Sequence, residues 1–374
     1  DPIEYYKADK SNWLNLLVAL ESDMGRWLDP QFQDIYKEPI RLKIRLPLLT
    51  APPDCNFLPE YSTAYYFVSK KKSSGRVVLL HQGHYSRGTD RPYRKSSLIN
   101  RDFIRLLYAL LSEGTDVALI LMPNSDPCFG TLESKHACFW NSIVTTGSPL
   151  KVFLTPAASM MAYLSDRTAT KDRAYEQFSM IGLSGGGFIS TIYSAIDKRI
   201  KTSISVAPGM MPFYLYGTNP IATLFDLDLS NKYVFNKANP QDYYAMASYG
   251  SGRNHFEVWL KNDEGGSNGM SFFYGNQPNH ICNGQSNRYK HSISYDSAGK
   301  EVQDKVSKIL GGKGKFEIII DEPQLKEFDQ FKVGFNNGYT GMENYQCPSP
   351  GCHLISQDVL TRFLDVTNGR RQRE

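Results

Sequence analysis

Gly182-Leu183-Ser184-Gly185-Gly186 fits the pattern G-x-S-x-G, inside a stretch from Phe178 to Tyr193 that reads as a buried strand, a glycine-crowded corner and a helix start. The chemistry suited to it is nucleophilic attack by the Ser184 hydroxyl. A serine on a sharp strand-to-helix turn has a strained backbone, and side chains beside it would strike the strand or the helix. Gly182 and Gly186 remove those clashes. The following helix aims its first N–H groups at the serine, and its dipole favours negative charge there. The rival reading is a glycine-rich turn around an ordinary serine.

Other residues able to do chemistry follow in one order. The apolar run at 76–80 leads straight into His81-Gln82-Gly83-His84. The acidic pair Asp263 and Glu264 ends a later strand, and His353 opens the last helical pattern. Of the seven histidines, His81 and His84 belong to the loop after the apolar run, where such side chains brace backbone. His136 precedes the serine, His255 starts a strand, and His280 and His291 lie in the loop after the acidic pair. Only His353 follows the last strand and precedes a helix. Among the acids, Asp263 follows the segment with the Val/Trp/Leu content of a buried strand. Glu264 is adjacent and chemically able, and Asp296 would require Ser271-Phe-Phe-Tyr274 to be the strand instead.

The elements that must position these groups are legible from periodicity. Residues 11–21 predict a short amphipathic helix and 40–46 an alternating, half-buried strand. Strands are expected at 64–69, 76–80, 117–122, 177–181, 204–207, 255–260 and 314–320. Helices are expected at 98–112, 152–164, 186–196, 300–310 and 353–365. Buried strands alternating with helices from about 76 to 207 imply βαβ units and a parallel sheet covered on both faces.

This order and spacing resemble the α/β-hydrolase superfamily, in which nucleophile, acid and histidine follow one another along the chain. The resemblance covers roughly residues 40 to 365 and is sharpest at the elbow. It implies an α/β fold with a mostly parallel central sheet flanked by helices, one domain across 1–374, and inserted segments. Residues 208–253 fall where a cap would, and 322–352 form a long excursion before the histidine. The resemblance further implies Ser184 as nucleophile, His353 as general base and Asp263 as the acid that orients it. The oxyanion hole would come from the backbone N–H of Gly185 plus one from the loop after residues 76–80, Gln82 first and Gly83 next. The implied activity is cofactor-independent cleavage of a carboxylic ester. Peptidases, thioesterases, lipases and acyltransferases share the fold, and a member using the cleft only for binding is a reading from another class. The third glycine of Gly185–Gly187 lets the helix sit close to the sheet, and similar elbows occur among esterases acting on acetylated sugars.

Composition narrows the rest. With 41 % hydrophobic and 21 % charged residues in 374, the chain can bury a large core. The net charge of +4 is dispersed, and no nucleic-acid partner is expected. No run of about 18 apolar residues predicts a membrane span. The pattern H-E-x-x-H is absent, and no G-x-G-x-x-G stands where a dinucleotide would need it, so neither metal nor cofactor is expected. Cys55, Cys128, Cys138, Cys282, Cys347 and Cys352 form no C-x-x-C pair, and with a first residue other than Met they point toward a secreted or periplasmic protein. Tyr-, Asn- and Trp-bearing loops suit a polar, glycan-like ester, and Arg87, Arg91, Arg94 and Lys95 could receive an anionic one, although both sets also suit a solvated surface.

Overall fold

Strands covered on both faces cannot alternate polar and apolar residues, and the segment Asp116-Val-Ala-Leu-Ile120 is buried at every position. It belongs to an eight-stranded sheet. The strands are β1 (Ile40–Arg45), β2 (Tyr61–Phe67), β3 (Arg76–His81), β4 (Asp116–Ile120), β5 (Gln177–Leu183), β6 (Ile200–Val206), β7 (Asn254–Leu260) and β8 (Lys315–Asp321). Their order is β1-β2-β4-β3-β5-β6-β7-β8. The two pairings of β2 are antiparallel, and the remainder, from β4 to β8, are parallel. The computed structural model describes residues 34–37, 39–47, 61–83, 101–123, 150–166, 170, 173–208, 238–260, 295–321 and 355–369, without the side chains of 101–105, 295, 296 and 357. The helix expected at 11–21 and all six cysteines lie outside these residues.

Six helices are described: α1 (Arg101–Ser112), α2 (Leu150–Ser165), α3 (Gly185–Ile196), α4 (Pro240–Ser248), α5 (Tyr295–Leu310) and α6 (Gln357–Thr367). Strand period sorts them into two layers. Val78 and Leu80 share a core with Leu106 and Leu110 of α1 and Val359 and Phe363 of α6. Val77 and Leu79 face the other way, onto Phe153 and Met160 of α2 and Ile189 and Tyr193 of α3. That second layer continues through Tyr244 of α4, Trp259 of β7 and Val302 and Val306 of α5.

Two strands begin earlier than their apolar content predicts. β6 starts at Ile200 rather than 204, because Thr202 and Ser203 are buried despite being polar. β2 starts at Tyr61 rather than 64; the Ser62 hydroxyl donates to the Leu121 carbonyl at 3.0 Å, and the Leu121 N–H donates to Thr63 O at 3.0 Å. Within the span expected to hold a cap, α4 is a core helix with Tyr244 fully buried. The side chain of Asn239 accepts from the Asp242 N–H, and that of Asp242 accepts from the Asn239 N–H, both at 3.0 Å; Pro240 opens the helix between them.

Arg253 fastens this layer. Its buried guanidinium donates to Ile200 O at 3.1 Å, Met246 O at 2.8 Å, Tyr249 O at 3.0 Å and Ser194 O, joining the C-terminal ends of α3 and α4 to β6. A cation at helix C-termini also meets the negative ends of their dipoles. Lysine cannot reproduce this planar fork. Arg253→Lys is therefore expected to lower stability by about 2 kcal/mol, read as an earlier urea midpoint at an unchanged slope. A midpoint equal to that of the wild type would remove this role.

Candidate active site

The C-terminal ends of β3, β5, β6 and β7 lie side by side, and Ser184 stands just beyond β5. Its backbone has φ 59° and ψ −127°. Non-glycine residues rarely adopt such values, which cost about 1–3 kcal/mol unless the surroundings enforce them. The enforcement is visible. The Ser184 N–H donates to Val206 O at 2.8 Å, and the Ser184 carbonyl accepts from the Phe188 N–H at 3.0 Å as the first bond of α3. One other non-glycine residue among those described has positive φ, Ala207 at 48°, where the chain leaves β6 beside the same elbow. Gly185 is the first residue of α3, so its N–H has no acceptor in the helix's own ladder.

Glycine is required here by contact. A Cβ on Gly83 would stand 2.1 Å from Leu183 O, 2.8 Å from Ser184 Cβ and 3.1 Å from Gly185 N. The loop after β3 is thus packed directly against the serine. A Cβ on Gly186 would meet His81 O at 2.2 Å, and one on Gly187 would meet Val206 O at 2.7 Å, so α3 lies hard against the sheet. His81 is fully buried, and its Nδ1 donates to the Gln82 carbonyl at 2.9 Å, bracing that loop. The Gln82 N–H is already committed to Ile120 O at 3.0 Å, a continuation of the β3–β4 ladder. Gly83 is the next backbone donor along the loop.

Ser184, Gln82, Gly83 and Gly185 are therefore brought together. Asp263, Glu264, His353 and His84 lie outside the described residues, as do His136, His280, His291 and the basic residues from Arg87 to Lys95. Their anchoring elements are described: β7 ends at Leu260, three residues before Asp263, and α6 is capped by Ser356, three residues after His353. The Ser356 hydroxyl accepts from the Val359 N–H at 3.1 Å, so the helix begins after His353 rather than at it. Asp296 belongs to the first turn of α5.

Sequence reasoning passed over one polar cluster close to the elbow. Glu257 and His255, on β7, are fully buried, with His255 Nε2 3.0 Å from Glu257 Oε1. Thr191 of α3 donates to the same oxygen at 2.6 Å, and Ser203 Oγ lies 2.7 Å from His255 Nδ1. The His255 ring packs against both Tyr244 and Phe316, which also stack on each other at 5.2 Å. Burial pushes the Glu257 carboxyl up from its usual range, and its bonds to His255 and Thr191 act in the opposite direction. The available signal was a carboxylate in the middle of the apolar run at 256–260.

Among the described residues no cluster of three or more His, Cys, Asp or Glu could hold a metal ion, and no helix is long and apolar enough to cross a membrane. No family model matches the chain, and no curated protein matches it in sequence. Solved structures do resemble it. Est1E from Butyrivibrio proteoclasticus is 14 % identical with a TM-score of 0.39, over 75 % of this chain and 89 % of that one. An esterase of Pyrococcus furiosus is 12 % identical with a TM-score of 0.44, over 82 % and 88 %. The acylaminoacyl peptidase of Pyrococcus horikoshii is 13 % identical with a TM-score of 0.43, over 77 % of this chain and 37 % of that one. Sheet order, strand polarity and a strained serine between β5 and the helix behind it together give the chain the α/β-hydrolase fold.

Proposed function

We propose that the protein is a serine hydrolase that cleaves a carboxylic ester through an acyl-enzyme intermediate. The observation that carries this reading is the strained Ser184 backbone held between β5 and α3 with Gly83 pressed against it. A strained residue at a strand end is retained where chemistry needs its side chain presented.

Ser184 Oγ attacks the ester carbonyl while His353 takes its proton. Asp263 holds the imidazole tautomer and stabilises the imidazolium. The position of β7 supports this acid, because Asp263 and Glu264 come just beyond its C-terminal end, while Asp296 opens a helix leading into β8. The tetrahedral oxyanion accepts from the N–H groups of Gly185 and Gly83, each worth about 3 kcal/mol in the transition state. Gly83 takes the place expected of Gln82, whose N–H is bound to Ile120 O. Collapse breaks the ester bond, and His353 returns the proton to the departing alcohol. Water then attacks the acyl-enzyme with His353 again as base, releasing the acid and restoring Ser184. We assign the cap to the part of 208–253 that precedes α4, whose Tyr and Asn residues suit a polar or acetylated glycan-like substrate.

The test is hydrolysis of p-nitrophenyl acetate and butyrate, with fluorophosphonate labelling mapped to the peptide carrying Ser184. Release of p-nitrophenol together with that adduct is expected. A folded wild-type protein that neither hydrolyses nor labels would be a binding module, not an enzyme.

A further inference from the structure

Helix α3 carries the nucleophile, yet its first turn, Gly185–Gly187, has no side chains with which to lock it in place. Something else must resist the relaxation of Ser184 toward an ordinary backbone conformation. Ile189 and Tyr193 pack its later turns on the sheet, and the side chains that hydrogen-bond to it from the sheet are polar and buried. The Ser205 hydroxyl donates to the Gly187 carbonyl at 2.8 Å, within the first turn. One turn further on, the Thr191 hydroxyl could donate to the same carbonyl, but that distance is 3.4 Å; its single proton goes instead to Glu257 Oε1 at 2.6 Å. Glu257 is in turn held by His255, and His255 by Ser203 and by the rings of Tyr244 and Phe316. The chain of bonds therefore runs from the interior of β6 and β7 to the helix behind the serine.

We propose that Glu257 is a positioning residue for Ser184, acting through Thr191 to pin α3 so that the elbow keeps its strained conformation. It touches neither the serine nor, on the chemistry above, any reacting atom. The inference rests in part on the hydrolase reading, but the pinning of the helix stands apart from it. A buried carboxyl in the middle of a strand is expensive, and an apolar residue of the same volume would pack β7 against α3 without that cost. What an apolar residue could not supply is a directional bond to a helix whose first turn is bare.

The experiment compares the full-length wild type with Thr191→Val, Thr191→Ser and Glu257→Gln. Amide hydrogen exchange is followed in peptides covering 182–188 and, as a control on the opposite layer, in α1. In Thr191→Val, exchange at 182–188 is expected to quicken about tenfold with α1 unchanged, and in Glu257→Gln, whose amide oxygen is a weaker acceptor for the Thr191 hydroxyl, it is expected to quicken by less. In parallel, kcat and the rate of fluorophosphonate labelling fall about 10- to 100-fold at an unaltered KM. Thr191→Ser, which keeps the hydroxyl, stays near wild type on each measure. If Glu257→Gln fails to fold, the Thr191 pair decides alone. Wild-type exchange at 182–188 in Thr191→Val would overturn the proposal, as would quickening spread equally over α1, which signals general loosening. A wild type that neither hydrolyses nor labels defeats the hydrolase reading only, and exchange then decides the pinning by itself.

Discussion

Ser184→Ala is expected to lose hydrolysis by a factor on the order of 10⁶ while unfolding at the same urea concentration as the wild type. Ser184→Gly is expected to lose the same activity and become more stable. The contrast follows from one pair of dihedral angles. At φ 59° and ψ −127° any Cβ is strained, whether it carries a hydroxyl or not, so alanine removes the nucleophile and keeps the strain. Glycine removes both. The relieved strain of about 1–3 kcal/mol is partly offset by the extra freedom of glycine in the unfolded chain, about 0.4–1 kcal/mol, which leaves a gain of about 1 kcal/mol. Urea unfolding of the three proteins, with p-nitrophenyl ester turnover beside it, separates the effects. A glycine variant no more stable than the alanine variant would mean that the elbow stores no more than about 1 kcal/mol of strain, the amount glycine's freedom in the unfolded chain offsets.

The elbow was legible in the sequence because its constraints are local. Glycines two before and two after Ser184 answer clashes within a few residues, and they appear as letters at fixed spacing. The strands β3 and β4 were legible for a similar reason, since each carries an unbroken apolar run, and β5 and β7 each carry an apolar run broken by one polar residue, Ser179 and Glu257. What stayed hidden depends on neighbours far along the chain. The ranking of Gln82 ahead of Gly83 leaves out a bond set by β4, where His81 lies opposite Ile120 and the Gln82 N–H completes the ladder. The early start of β6 was masked because Thr202 and Ser203 look like loop residues until their burial is known. Glu257 was passed over because a lone carboxylate in an apolar run names no partner: the groups it bonds to are Thr191 on α3, 66 residues away, and His255, two residues away on the same buried strand. Asp263 and His353 rest on their order in the chain and on the ends of β7 and α6 that flank them.

Asp116→Asn is expected to be the most destabilising single change at the opposite, N-terminal edge of the sheet. Asp116 opens β4 with a fully buried side chain. Its Oδ1 accepts from the Ser69 N–H at 2.8 Å, and its Oδ2 accepts from Arg173 Nη1 at 3.0 Å and from the Tyr175 hydroxyl at 2.5 Å. Arg173 Nη2 also donates to Ser69 O at 3.2 Å, and the Tyr66 and Tyr175 hydroxyls are hydrogen-bonded to each other. One carboxylate thus joins the end of β2, the start of β4 and the segment entering β5. Burial pushes its pKa up, while Tyr175, Ser69 and Arg173 pull it down, so the group is kept in place by its partners and not by solvent. The amide keeps the shape but loses the charge, and leaves the guanidinium and the phenol competing for one weaker acceptor. Breaking such a pair costs about 3–5 kcal/mol, and the 19 % exposure of the Arg173 side chain sets the expectation at the lower end, about 3 kcal/mol. The double variant Asp116→Asn/Arg173→Met should cost less than the sum of its parts, because it removes the orphaned charge as well. Additive losses in urea unfolding would show that the two side chains act independently. A loss below about 0.5 kcal/mol for Asp116→Asn alone would show that the cluster is incidental to the fold, since changes of that size are ordinary at exposed positions.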